Sequence, residues 1–306
     1  MKKLTFAAAF IAVAFTLSNC SKEANDAKEA TKTGQNSNNP SQNNGSNSGQ
    51  NNDSNTGQQG NNSGQNGGTI VTNDYEISPD GKILLRWFNN KVTEIDMQSD
   101  PNLSKVTSIH NRVFYGYRSL KKVVLPQGLE SIGDEAFSHC SLLKEIVLPN
   151  GLKEIGELSF QGCILKNVTI PNSMINIGGN AFSDNQLTTI TIPNSVTNIG
   201  ESTFSNNQLT NVVIPNSITK IKGFTFQENQ IASITIHSGV TYIGESAFTL
   251  NPLTSVTFEG TTPPLMNGRS IFDSNTIRAI YVPAGSVEAY KNALPDYLKD
   301  KVRAKE

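Results

Sequence analysis

The strongest constraint on the fold is an internal repeat of about 22 residues. Residues 185–204 read NQLTTITIPNSVTNIGESTF, and residues 207–226 read NQLTNVVIPNSITKIKGFTF. One phenylalanine closes each unit, and successive ones lie 23, 23, 22, 22, 22 and 22 residues apart: Phe114, Phe137, Phe160, Phe182, Phe204, Phe226 and Phe248. Such a period is typical of stacked repeats, in which each unit buries its apolar face against its neighbours. The sequence therefore predicts a solenoid.

Every unit contains a segment of the form L-x-x-[VI]-x-[ILF], with isoleucine in the first position of two units and valine in the last position of the final one. Its last part alternates with period two, as a strand with one buried face does. The segments begin at Leu120, Leu143, Leu165, Leu187, Leu209, Ile231, Leu253 and Ile277. A turn proline follows in most units, with His237 in its place after Ile236, and then a second short apolar piece such as residues 196–200. We predict a β-rich solenoid of parallel strands stacked in 22–23-residue repeats.

The residues between the buried positions are predicted to face outward in two columns. This candidate binding face, called the strand face below, comprises Lys122, Val124, Glu145, Val147, Asn167, Thr169, Thr189, Thr191, Asn211, Val213, Ser233, Thr235, Ser255, Thr257 and Tyr281. It is mildly apolar, rich in hydroxyls and almost uncharged in the middle. These properties favour a protein or glycan partner over nucleic acid, which requires a basic stripe. The alternative is that Thr and Val are simply good strand formers.

Three residues after each closing phenylalanine, the chain repeats a second small residue. The positions are Cys140, Cys163, Asn185, Asn207, Asn229 and Asn251. We predict that they stack, with the amides bonding to turn backbone and to one another. The two cysteines are interpreted as buried free thiols. A disulfide between neighbouring repeats and a metal site that includes His139 are the alternatives.

The first residues have the pattern of a secretion signal. Two lysines precede an apolar run from Leu4 to Leu17, shorter than the roughly 20 residues of a membrane-spanning helix. The end of this run and the Ser-Asn-Cys that follows resemble the lipobox of bacterial lipoproteins. We therefore interpret residues 1–19 as a signal peptide and Cys20 as the lipidation site, the alternative being a plain cleaved signal. Because Ser21 follows the cysteine, the resemblance implies an outer-membrane destination.

Residues 20–68 are rich in Asn, Gly, Ser and Gln. Between Lys32 and Thr69 the only charge is Asp53, and there is no aliphatic or aromatic side chain. Such a segment has no apolar area to offset the entropy cost of ordering, so we predict a disordered tether. A self-associating segment is the alternative, and the interspersed glycines and Pro40 argue against it.

No catalytic constellation is visible in the repeats. The three histidines, His110, His139 and His237, fall at different positions of the repeat, and no phosphate loop or G-x-S-x-G motif occurs. The carboxylates fall mainly at solvent-facing positions. We predict no enzyme activity, no cofactor and no metal site.

Two units carry a family resemblance. LKKVVLPQGLESIGDEAFSHC and LKEIVLPNGLKEIGELSFQGC are similar to the BspA-like, or Treponema-type, leucine-rich repeat of bacterial surface proteins. The resemblance implies an N-terminal cap and degenerate first repeat in residues 69–119, a repeat solenoid in 120–283 and a short capping helix in 284–306. That helix is expected to cover the exposed edge, with Val287, Tyr290 and Leu294 on its buried face.

The functional expectation follows from the same resemblance. It implies a lipid-anchored protein of the bacterial outer membrane and cell surface, an adhesin for host matrix proteins or other cells. The alternative is a lipoprotein that faces the periplasm and acts as an envelope scaffold. Either role requires a protein or glycan partner, and the membrane is contacted only through the lipid anchor.

Overall fold

The computed structural model describes residues 70–268 and 270–306, so the predicted signal peptide, Cys20 and the tether lie outside the described residues. The described chain winds into a solenoid of short strands. The strands are β1 (Ile70–Val71), β2 (Tyr75–Ile77), β3 (Ile83–Trp87), β4 (Glu94–Asp96), β5 (Ser108–Ile109), β6 (Lys122–Val124), β7 (Ser131–Ile132), β8 (Glu145–Val147), β9 (Glu154–Ile155), β10 (Asn176–Ile177), β11 (Asn198–Ile199), β12 (Lys220–Ile221), β13 (Ser233–Ile236), β14 (Tyr242–Ile243), β15 (Ser255–Phe258), β16 (Leu265–Met266), β17 (Ala279–Val282) and β18 (Val302–Ala304).

These strands form sheets on two sides of the coils. One side carries the sheets β4-β6-β8 and β13-β15-β17-β18. The other carries an eight-stranded sheet, β1-β2-β3-β5-β7-β9-β10-β11, and the three strands β12-β14-β16 at the equivalent repeat position. Pairing between coils is parallel, whereas β2 pairs antiparallel with both β1 and β3. The predicted parallel solenoid is confirmed.

The interior is organised around a column of phenylalanine rings. The seven predicted rings are at most 1 % exposed, and Phe272 continues the column. Neighbouring ring centroids lie 4.9–5.9 Å apart from Phe114 to Phe272. This spacing is that of stacked aromatic pairs, which add stabilisation to the burial of the rings. The repeat closes with phenylalanine because that position fills the interior of every coil.

The coils also approach closely at one glycine corner. A Cβ atom on Gly200 would lie 2.2 Å from the backbone nitrogen of Gly179 in the preceding coil. A side chain there would push the two coils apart, so the I-G dipeptide of the repeat reflects contact between coils.

The strand prediction was only partly right. The L-x-x-[VI]-x-[ILF] segment is a strand in the units beginning at Leu120, Leu143, Ile231, Leu253 and Ile277, but residues 165–170, 187–192 and 209–214 form none. Their apolar positions are buried all the same. Alternation predicts which side chains point inward, whereas a ladder also requires close backbone approach along the whole segment, which no residue pattern encodes. The more continuous ladder runs through the second apolar piece.

The N-terminal cap is a β-ribbon followed by a degenerate coil. Strands β1–β3 form the ribbon, and β4 pairs in parallel with β6 as the strand of the first unit. A 3₁₀ turn at Leu103–Lys105 occupies the insertion near Pro101. The Trp87 ring lies 5.5 Å from that of Phe114, so the cap extends the aromatic column.

The C-terminal cap contains the predicted short helix and further elements after it. A 3₁₀ turn at Ala284–Ser286 leads into α1 (Val287–Ala293), which is followed by α2 (Asp296–Lys299) and β18. Tyr290 and Leu294 are buried as expected, and the Tyr290 ring lies 4.9 Å from that of Phe258. However, the edge of β17 is covered by β18 and not by the helix. A strand satisfies the open hydrogen-bonding groups of an edge, which a helix packed on it does not.

Candidate binding face

The strand face points outward as predicted. Twelve of its fifteen residues are exposed, and Val124, Ser255 and Thr257 are half-buried. Val147 is 75 % and Val213 is 70 % exposed, although both are apolar. Ala279, which shares a column with Ser255, is buried and does not contribute to the face. The structure thus confirms the register of these residues, and their role in binding stays a prediction.

Asparagines hold the coils beneath this face in register. The Asn207 side chain donates through Nδ2 to the carbonyl oxygens of Phe182, Phe204 and Ser205 at 2.9, 3.3 and 3.1 Å. Its Oδ1 accepts from the backbone N–H of Leu187 at 3.0 Å. Every one of these bonds is to backbone, on its own coil and the preceding one, so the predicted bonding between asparagines was wrong.

The same pattern repeats at the other asparagines. Equivalent bonds are made by Asn185, Asn229, Asn251 and Asn275. The sequence analysis missed Asn275 and Phe272, which lie 24 residues after Asn251 and Phe248. The pattern S-x-F-x-x-N, shared by residues 246–251 and 270–275, was the available signal.

The two cysteines occupy the asparagine position in the earlier coils. Both are buried free thiols, as the packing interpretation predicts. The thiol of Cys140 donates to the carbonyl oxygen of Phe114 at 3.1 Å, and that of Cys163 donates to Phe137 at 3.3 Å. Burial raises the pKa of Cys140 to about 12 and also raises that of Cys163. Neither thiol is therefore a nucleophile near neutral pH.

His237 keeps the turn that proline makes in most other coils. Its Nδ1 accepts from the Gly239 backbone N–H at 3.1 Å, which leaves Nε2 as the donor to the Pro215 carbonyl oxygen, also at 3.1 Å. Both ring nitrogens are therefore used to hold the chain. This arrangement assigns His237 a structural role.

Charge is concentrated at the N-terminal end of the strand face. Residues 122–124, 144–147, 166 and 167 line a shallow depression of about 300 Å³. Glu145 there forms ion pairs with Lys122 at 3.7 Å and with Lys144 at 3.5 Å. Lys166 is exposed beside them. The depression offers ammonium groups and an apolar rim, but no acid–base pair suited to catalysis.

The other side of the coils bears a polar groove of about 750 Å³. It is lined by glycines of neighbouring coils, including Gly178 and Gly200, and its charged residues are Asp134, Glu157, Glu201 and Lys222. The strand face and this groove therefore differ in charge. This difference in charge between the two sides of the coils was not predicted from the sequence.

Two further properties bear on function. Among the described residues, no group of three or more His, Cys, Asp or Glu side chains could hold a metal ion. His139, the third member of the alternative metal site, is exposed and packs its ring edge-to-face against Tyr115. No helix in residues 70–268 and 270–306 is long and apolar enough to span a bilayer.

Comparison with known proteins identifies the repeat. The profile described as "BspA type Leucine rich repeat region" matches six copies, over residues 107–221 and 175–295. No curated protein matches the chain.

Solved structures of bacterial leucine-rich-repeat proteins are similar in part. A leucine-rich repeat protein from Bacteroides ovatus is 20 % identical with a TM-score of 0.47, over 78 % of this chain and 75 % of that one. A Treponema pallidum leucine-rich repeat protein is 26 % identical with a TM-score of 0.43, over 60 % and 82 % of the two chains.

The family match rests on the residues described above. Its matched range, 107 to 295, covers more than half of the chain and contains the phenylalanine column, the asparagines that bond to neighbouring coils and the whole strand face. The chain belongs to the BspA-type leucine-rich-repeat family.

Proposed function

We propose that this protein is a lipid-anchored, cell-surface binding protein, an adhesin that holds host matrix proteins or other cells through its strand face. The observation that carries the proposal is a regular exposed surface built on a repeat scaffold of a family of bacterial surface-type proteins. Repeat solenoids of this kind are protein-binding scaffolds, because their exposed columns vary without disturbing the core.

The chemistry of the face supports a protein partner. Val147 and Val213 expose most of their side chains, and residues between them, such as Thr169 and Thr191, present hydroxyl groups. Isolated apolar anchors surrounded by hydrogen-bonding groups are suited to a macromolecular interface.

Surface exposure is tested by protease treatment of intact cells. The adhesin proposal predicts loss of the repeat domain while a known periplasmic protein survives. Survival of both would assign the repeats to the periplasm and favour the envelope scaffold. A Cys20→Ser variant should leave the membrane fraction, and its retention there would contradict lipid anchoring.

The face itself is tested with a steric variant. Cells producing Thr169→Arg/Thr191→Arg should adhere less to host matrix, because two long charged side chains would cover the middle of the strand face. The matched control is Thr197→Arg/Thr219→Arg, which alters exposed threonines on the other side of the coils. Equal adhesion by both variants at equal surface abundance would exclude the strand face as the binding site.

A further inference from the structure

A column of three lysines lies along the N-terminal end of the strand face. Lys121, Lys144 and Lys166 each follow the first buried leucine of their units, and all three are exposed. The backbone N–H of Lys144 donates to the carbonyl oxygen of Lys121 at 3.1 Å, and that of Thr188 donates to Lys166 at 3.3 Å. Neighbouring coils are about 4.8 Å apart, so the three lysines occupy the same repeat position in successive coils. We call these three residues the lysine column.

The positive charge of the lysine column is only partly neutralised. Glu145 is shared between Lys122 and Lys144. In the described chain, Lys121 and Lys166 form no ion pair. The preceding coil adds two exposed carboxylates, Glu94 and Asp96, which pair in register with Lys122 and Val124. Four lysines therefore stand against three carboxylates, Glu94, Asp96 and Glu145, and a net positive charge remains at this end of the face.

The same coils carry carboxylates on their other side. Glu130, Asp134, Glu154 and Glu157 are exposed there, and Lys153 neutralises only Glu130, at 2.9 Å. An acidic partner would be attracted to one side and repelled from the other. Such asymmetry orients a docking partner and raises its association rate, even though the net charge of the chain is only −1.

We propose that the lysine column binds an acidic segment of a protein partner. Carboxylates of the partner would pair with the lysines, and its apolar side chains would pack against Val147. This inference rests on the proposed function and specifies the chemistry of the partner at that face. Val147, 75 % exposed, lies on the rim of the depression that Lys144 and Lys166 line. A sulfated glycan is disfavoured, because Tyr281 is the only aromatic residue of the strand face and lies at its opposite end. Sugar rings would find no stacking surface beside the lysines.

The test uses the full-length protein and a fluorescein-labelled peptide of alternating glutamate and valine. We expect Lys121→Gln/Lys144→Gln/Lys166→Gln to weaken binding roughly tenfold or more, since an exposed charge pair is worth about two- to fivefold in affinity. The matched control, Lys105→Gln/Lys153→Gln/Lys220→Gln, removes three exposed lysines elsewhere and should bind like the wild type. Added salt should weaken wild-type binding more than that of the lysine-column variant.

Two outcomes would overturn the inference. Equal weakening by the two triple variants would show that the peptide senses overall charge alone. Lysine-dependent binding of heparin without binding of the peptide would assign the site to a sulfated glycan. The proposed function is tested separately. It stands after either outcome if Thr169→Arg/Thr191→Arg still reduces adhesion. Conversely, adhesion that survives this change would contradict the proposed function while leaving peptide binding measurable.

Discussion

Coils that end in cysteine and coils that end in asparagine differ in the group that accepts a hydrogen bond from the backbone N–H of their first leucine. In the unit that begins at Leu143, the leucine N–H donates to the backbone carbonyl of Cys140, because an extra residue lengthens the preceding turn. In the units that begin at Leu165 and Leu187, the turn is shorter and an asparagine Oδ1 accepts that N–H instead. The buried leucine N–H has an acceptor in each case. The length of the preceding turn therefore decides whether the position three residues after the closing phenylalanine needs an asparagine.

The largest expected effect is common to both kinds of coil. Phe137→Ala in a cysteine coil and Phe204→Ala in an asparagine coil should each lower the free energy of unfolding by about 3–5 kcal/mol, because each leaves a cavity in the aromatic column. Chemical denaturation of the two variants provides the measurement. A cost below about 1 kcal/mol for either would contradict a continuous column.

Asn207→Ala should distinguish the two kinds of coil. It removes four hydrogen bonds and leaves the buried Leu187 N–H without its acceptor, so we expect a loss of about 2–4 kcal/mol. Amide hydrogen exchange at Leu187 should accelerate more than that at Leu143, whose acceptor is backbone. Unchanged exchange at Leu187 would refute the role of the side-chain amide.

Cys163→Ala should cost less, about 1–2 kcal/mol, because it loses one thiol hydrogen bond and a small buried volume. The measurement is again denaturant unfolding, with Asn207→Ala in parallel. A lower stability of the cysteine variant would contradict the larger contribution that we assign to the asparagine.

Cys140 should make the free energy of unfolding depend on pH in alkali. Its folded pKa is about 12, above the ordinary value of 9.0, so its contribution is complete below pH 9 and is lost as the pH rises towards 12. Cys140→Ala should therefore lose less stability than the wild type over this range. Because burial also raises the pKa of Tyr290 to about 12, a Tyr290→Phe background provides the control. Identical alkaline curves would show that the thiol does not contribute.

Thr191→Ala is expected to have the smallest effect, within about 0.5 kcal/mol, because the side chain is exposed on the strand face. A loss comparable with that of Phe204→Ala would mean that the inward and outward positions have been interchanged.

The predictable part of this structure is the part that repeats. The spacing of phenylalanine and the alternation in the strands were sufficient to predict the parallel solenoid, the buried columns and the outward residues. The covering of β17 by β18 was not predictable, because Val302–Ala304 lacks the repeat pattern. The lysine column was not predicted from the sequence, because each lysine by itself is a common surface residue. The three are brought side by side only when the coils stack.

The asparagine junctions also bear on how this protein changes length. The junctions at Asn185, Asn207 and Asn229 use the same donors and acceptors at intervals of 22 residues. Removing residues 187–208 would bring Leu209 into the place of Leu187 and rejoin two chemically equivalent surfaces. The solenoid can thus gain or lose whole coils, with its outer surface changing in steps of about 4.8 Å while both caps stay intact. Gene duplication or deletion of a unit could in this way change the length of the solenoid without changing its fold.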